Sequence, residues 1–292
     1  MTWLAWRQHR YQALLVAAAL ALAAAALAVQ RYAMAAARPG PQWTSWGAIF
    51  ALVLFEIFAM LLVPVLLGIF LGAPLVAREL EGGTHRLAWT QSISRRRWLL
   101  VGLAVVLAIS LAATAALSAA VSWALAPWVA LEQGTGNPGW FSNGTFDVVG
   151  VVPVAYALFA LALGVASGAL VRRTLLAMFV VLVVFTAVRM PVALAARPNY
   201  EPPVHLTYPV GVTHLDALYR SGAWTVSMSL VDAGGRPVQT CSGSDCDHAR
   251  LRVDYQPGDR FWTFQWIEAG IYLGLSALLL GVAYVVVLRR AT

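Results

Sequence analysis

The residues able to do chemistry gather in one place. Val76–Trp98, VARELEGGTHRLAWTQSISRRRW, holds five arginines and two glutamates between long apolar runs. Acids and bases at this density can fix the register of a charged partner. Leu87 and Trp89 within the stretch can anchor it on an apolar surface, Trp being a frequent hot-spot residue. Gly82-Gly83 breaks a helix leaving the apolar run, and Thr84 can cap a new one. Bond-making chemistry is poorly supported. The chain has no HExxH, no Gly-x-Ser-x-Gly and no paired catalytic carboxylates. It contains no lysine, so the Gly-Lys pair of a phosphate-binding P-loop is missing.

A few other polar residues stand out. Glu56 is the one acid well inside an apolar run, where a charge costs about 2.5–3.5 kcal/mol on insertion scales. It faces a substrate pathway, carries a proton, or bonds a neighbouring helix. Arg189 and Glu268 fall near the ends of two runs and could pair. Ser110, Thr114, Ser118, Ser122 and Ser167 read as helix-packing residues, and Gly164–Gly168 as a small-residue packing face, within the chain or at a subunit contact. Cys241 and Cys246 are the only cysteines. Outside a cell they would form a short disulfide; the alternative is two free thiols. A zinc site with His248 lacks a second close ligand pair, so no metal is expected.

The elements that must position these residues are membrane spans. The chain has 292 residues, 60% hydrophobic and only 11% charged. Soluble domains are about 25% charged, and one soluble core could not hide so much apolar surface. A span needs about 20 apolar residues. Six runs qualify, at Tyr11–Val29, Ile49–Val76, Leu99–Ala126, Val149–Val171, Thr174–Val188 and Trp266–Leu288. The first is longer than the apolar core of a signal peptide and is read as a span. Pro64 and Pro74 should kink the second. The net charge of +7 does not indicate nucleic acid, because the arginines sit at the ends of apolar runs. With the N-terminus inside, short cytoplasmic segments hold Arg7, Arg10, Arg78, Arg86, Arg95, Arg96, Arg97, Arg172, Arg173, Arg289 and Arg290, against Arg31 and Arg38 in short outer loops. Arginine favours the cytoplasmic side, so both termini and the opening stretch face the cytoplasm. Trp3 and Trp6 mark either an interfacial helix or ordinary anchors of the first span.

The resulting fold is an all-α integral membrane protein of six transmembrane helices, with a small, partly β extracytoplasmic domain between spans five and six. Residues 1–189 carry five spans, an N-terminal interfacial segment and the cytoplasmic loop 77–98. Residues 190–262 form the outer domain, and 263–292 the sixth span and C-terminus. In the outer domain, Trp224–Leu230 alternates apolar and polar residues, as do Leu251, Val253 and Tyr255 with their neighbours; the intervening DAGGRP is turn chemistry.

RELEGGTHRLAWTQSISRRRWLL, after the second apolar run, resembles the first cytoplasmic loop of ABC type-2 permeases. The matching features are Glu79 and Glu81, Gly83-Thr84, Leu87 to Gln91, and Ser94-Arg95. The closing RFWTFQWIEAGIYLGLSALLLGVAYVVVLRR looks like actinobacterial members. The chain departs from the family in Gly102, where a lysine is common, and in its longer outer segment. The resemblance implies the permease of an exporter in the bacterial plasma membrane. A second permease copy would complete a dimer, and a separate ATPase subunit would bind ATP and Mg. Glu79, Glu81, Gly83, Thr84, Arg86, Leu87, Trp89 and Gln91 would form a coupling helix docked on that ATPase. For Arg95–Arg97 the alternative is contact with anionic lipid. The competing function is a membrane-anchored sensor whose outer domain binds a ligand.

Overall fold

In the computed structural model, the described residues are 21–33, 43–82, 95–132, 139–209, 218, 220–232, 234–238 and 249–290. Outside them lie Gly83, Thr84, Arg86, Leu87, Trp89, Gln91, Cys241, Cys246, Trp3 and Trp6. Most of the first expected span, residues 11–20, also lies outside them; residues 21–33 are helical and form α1.

Long apolar runs build most of the remaining helices, with Glu56 inside one of them and Glu268 near the start of another. Helix α2 is Trp43–Leu67, and a π-helical turn at Gly68–Gly72 joins it to α3, Ala73–Glu81. Next come α4, Arg95–Glu132, and a single-turn α5, Asn143–Phe146. They are followed by α6, Val152–Val171; α7, Thr174–Pro191; and α8, Phe261–Arg290. Among the described residues, five helical stretches are long and apolar enough to cross a membrane: Val53–Glu79, Leu100–Ala130, Val152–Val171, Thr174–Asn199 and Gly258–Arg289.

Helix α6 is apolar on every face, as a helix surrounded by others must be. Its side chains are buried almost throughout, from Val152 to Ala169. Helices α2, α3, α7 and α8 pack around it, and α4 touches it more lightly. They turn Phe55, Phe58, Phe70, Leu175, Phe179 and Leu278 outward, and such side chains suit contact with lipid.

The closest packing joins α6 to the π turn. A Cβ on Gly164 would lie 2.5 Å from the Gly68 carbonyl oxygen, and one on Gly68 would lie 2.5 Å from that of Ala160. Gly168 approaches the Ala73 carbonyl as tightly, at 2.6 Å. The small-residue face at Gly164–Gly168 is thus filled within the chain by the second span, not by a partner subunit. The same two backbones explain the form of the irregularity in that span. Pro64 lies inside α2 and Pro74 opens α3; the π turn falls between them, where glycine lets the helices meet.

Helix α7 does not stop at its proline. Pro191 leads into a π-helical turn, Val192–Ala196, and a 3-10 turn, Arg197–Asn199, so the helical run carries ten residues assigned by sequence to the outer segment. The Val192 N–H bonds to the carbonyls of Arg189 and Val188, so the ladder resumes directly after the proline that interrupts it.

Between α7 and α8 lies an antiparallel sheet of four strands, in the order β1-β4-β2-β3. The strands are β1 Val204–Pro209, β2 Trp224–Val231, β3 Pro237–Val238 and β4 Arg250–Gln256. The two strands read from alternation are β2 and β4, paired with Met228 opposite Val253 and Leu230 opposite Leu251. The DAGGRP turn closes on Asp232, whose carboxylate accepts from the N–H groups of Gly234 and Arg236. The sheet is seated on the helices by aromatic rings. Trp224 stacks on Phe141 at 5.8 Å, and Phe141 meets Phe264 of α8 edge-on at 5.2 Å.

Candidate functional site

Two constellations of polar side chains occupy opposite ends of the helices. At the sheet end, five charged or phenolic groups gather, four of them buried and Arg189 partly so. Asp147 follows α5, Tyr156 is on α6, Arg189 on α7, Arg197 on the 3-10 turn beyond it, and Glu268 on α8. Arg197 is only 1% exposed and Glu268 is fully buried. The Arg197 Nε donates to Glu268 Oε2 at 2.8 Å. Its Nη2 donates to Glu268 Oε1 at 2.8 Å and to Asp147 Oδ1 at 2.5 Å. Arg189 pairs with Asp147 Oδ2 at 2.8 Å. The Tyr156 hydroxyl lies between the carboxylates, bonding Asp147 at 3.0 Å and Glu268 closely. Tyr200 donates to Glu268 Oε2 at 3.1 Å, and the Arg197 guanidinium lies 4.3 Å over the Phe146 ring.

Two arginines and two carboxylates balance formally. Burial at this depth is tolerable only because each charge is paired and hydrogen-bonded. The expected pair of Arg189 and Glu268 is corrected in one respect. Both residues join the cluster, but Arg189 pairs with Asp147 and Glu268 with Arg197; Tyr156 stands between the two pairs. Asp147 and Arg197 were not singled out from sequence, because one precedes a span and the other follows Pro191.

The neighbouring amide of Gln265 holds the start of the central helix. Its Oε1 accepts from the N–H groups of Val151 and Val152, both at 3.1 Å, and its Nε2 donates to the Phe146 carbonyl at 2.9 Å. Gly150, at φ +72°, brings the chain so near that a Cβ there would lie 2.7 Å from that Oε1. Below it, Ser118 donates to the Gly150 carbonyl at 2.9 Å. Of the other span hydroxyls of the sequence reading, Thr114, Ser122 and Ser167 return to carbonyls of their own helices.

At the opposite end, α3 finishes at Glu81, just before the loop of the opening stretch. Helix α6 ends with Arg172 in the left-handed region, φ 57°, and Arg173 is extended. Helix α7 then begins at Thr174 without a side-chain cap from its own N-cap residue. Glu81 supplies one. Its Oε2 accepts from the Thr174 N–H at 3.0 Å and from the Thr174 hydroxyl at 2.7 Å. These bonds, the backbone one foremost, hold the Glu81 carboxyl below its ordinary value. Glu79, two residues earlier, is half-buried. Glu56 lies on α2; its side chain is outside the described residues. Among the described residues, no group of three or more His, Cys, Asp or Glu gathers to hold a metal.

Residues 17–197, well over half of the chain, match the family described as ABC-2 membrane transporter related. The chain belongs to this family. No curated protein and no solved structure matches it. The ABC-2 match takes in the opening stretch, Glu81, Thr174, Asp147 and Arg197, and ends before the sheet. The chain is therefore a multi-pass membrane protein and the permease component of an ABC transporter, a family whose role is transport rather than catalysis.

Proposed function

We propose that this permease is the membrane half of an ABC exporter in a bacterial plasma membrane. It moves a drug-, lipid- or peptide-like substrate outward, driven by ATP and Mg on a separate cytoplasmic ATPase. Two permease copies form the pathway, with both termini of each in the cytoplasm. The segment 77–98, from the end of α3 to the start of α4, is the coupling element, built from Glu79, Glu81, Gly83, Thr84, Arg86, Leu87, Trp89 and Gln91; Glu81 joins it to Thr174, and the others form the face offered to the ATPase. The observation that carries this reading is the family match, which spans that loop. Acids are not required there for topology, so Glu79 and Glu81 need another reason to be present, and a partner or a helix cap supplies one. Glu56 remains the proposed pathway residue, and Cys241 with Cys246 the proposed disulfide.

The test is co-purification. The chain is co-expressed with an ABC ATPase encoded beside it and extracted in mild detergent. Leu87→Ala with Trp89→Ala should lower the bound ATPase at least tenfold while the permease stays in the membrane. Undiminished binding would remove the loop from the interface.

A further inference from the structure

The charge of Glu81 is spent inside the chain. We infer that Glu81 is a positioning residue that clamps the start of α7 to the root of the coupling loop, so that movement of the loop moves the fifth span. This rests on the coupling reading above. Glu81 is the last residue of α3, and Gly82 follows it at the mouth of the loop. A helix leaves its first N–H groups without partners inside itself. Here a carboxylate from a different span bonds the first of them and the adjoining hydroxyl. A negative group at this terminus is also favoured by the helix dipole.

The far end of the same helical run is held just as specifically. Arg189 and Arg197 bind Asp147 and Glu268, which lie beside α5 and on α8. The run Thr174–Asn199 thus behaves as a rod with one end on the loop and the other in the buried ion cluster. A displacement at Glu81 reaches the sheet end along this helical run, through its π and 3-10 turns. The ATPase reads Leu87 and Trp89, and Glu81 carries the result inward.

Thr174 permits an unusually clean test. It is the first residue of α7, where proline is well accepted, and Arg173 has φ −127° and ψ 119°, the extended geometry required before proline. Thr174→Pro therefore removes both donors and leaves the helix start intact. Spin labels are placed at exposed Phe179 on α7 and exposed Val285 on α8, with Cys241 and Cys246 replaced by serine. The permease–ATPase complex is reconstituted in phosphatidylethanolamine–phosphatidylglycerol vesicles. The label distance is read by electron paramagnetic resonance without nucleotide and after trapping with ATP and vanadate. The parent complex should show a shift between the two states. Glu81→Ala and Thr174→Pro should each abolish it with ATPase co-purification unchanged, and the double variant should be no worse. Glu81→Gln, which keeps an accepting oxygen, should restore it.

Several results would overturn the inference: no shift in the parent complex, a shift that persists in Glu81→Ala, or Glu81→Ala that sheds the ATPase. The last would turn Glu81 toward the partner and leave the docking reading standing. Failure of the docking reading is seen separately, as ATPase binding that survives Leu87→Ala with Trp89→Ala.

Discussion

Arg197 shows most clearly how single residues shape this molecule. Its guanidinium serves two carboxylates at once and has almost no access to solvent. Removing one partner of such a pair leaves an uncompensated buried charge, which costs about 3–5 kcal/mol. Arg197→Leu should therefore lower the melting temperature in detergent markedly, and Arg197→Leu with Glu268→Gln should recover part of the loss. A single variant melting like the parent would show that the cluster does not lock the sheet end. Glu81 makes a pH-dependent contribution of the opposite exposure. Its folded-state value lies below the ordinary 4.5 because Thr174 donates to the charged form. The extra stability that the charge gives the cap is accordingly present above pH 4.5 and is lost as pH falls through the lower, folded value. On acidification below 4.5, the parent should lose stability relative to Glu81→Gln, whose amide does not titrate; parallel melting curves across that window would contradict the cap. The sequence made Arg189 and Glu268 visible, as charges at the margins of apolar runs. It hid Arg197, because the fifth apolar run ends at Val188, whereas a π turn carries the helix past Pro191.

Among the elements, the junction of α6 with the π turn has the least room. Gly164→Ala would press a methyl against the Gly68 carbonyl oxygen at 2.5 Å and the Ala73 nitrogen at 2.6 Å. Overpacking of this kind costs about 1–3 kcal/mol, so the variant should melt earlier. Gly274→Ala on α8 meets nothing within 4 Å; it should be neutral or stabilising by up to about 1 kcal/mol through helix propensity. Equal melting of the two variants would mean the backbones are not in close contact. Long apolar runs made the helices legible, and Gly164 to Gly168 announced a packing face. The partner of that face was not legible, since Gly68 and Gly72 sit in a run whose prolines drew attention to kinking. Strand β1 was passed over although Val204, Leu206 and Tyr208 alternate with polar residues. Pro202 and Pro203 precede it and Pro209 ends it, and its pairing with β4 makes it a strand.

At the scale of the whole molecule, one side of the membrane should hold the sheet and the other the mouth of the coupling loop. Cysteines placed at exposed His205 and Thr207 of β1 should react with a membrane-impermeant maleimide on intact cells, again with Cys241 and Cys246 replaced by serine. A cysteine at exposed Gly82 should react only after permeabilisation. The reverse pattern would invert the topology drawn from the arginines. The class of the molecule was legible because composition alone forces it into lipid; the loop stands out in the sequence because acids there have no topological purpose, and its role remains the proposal made above. What the arginine count could not convey is that the two ends of α7 are both tied by charge.

The central claim is that an ATPase drives this permease through the loop after α3. It is tested most directly by ATP hydrolysis in phosphatidylethanolamine–phosphatidylglycerol vesicles holding the permease and its ATPase. The parent complex should hydrolyse ATP several-fold faster than the ATPase alone, and Leu87→Ala with Trp89→Ala should return the rate to that of the ATPase alone. Equal rates with and without the permease, or a stimulated rate that survives the double substitution, would contradict the account.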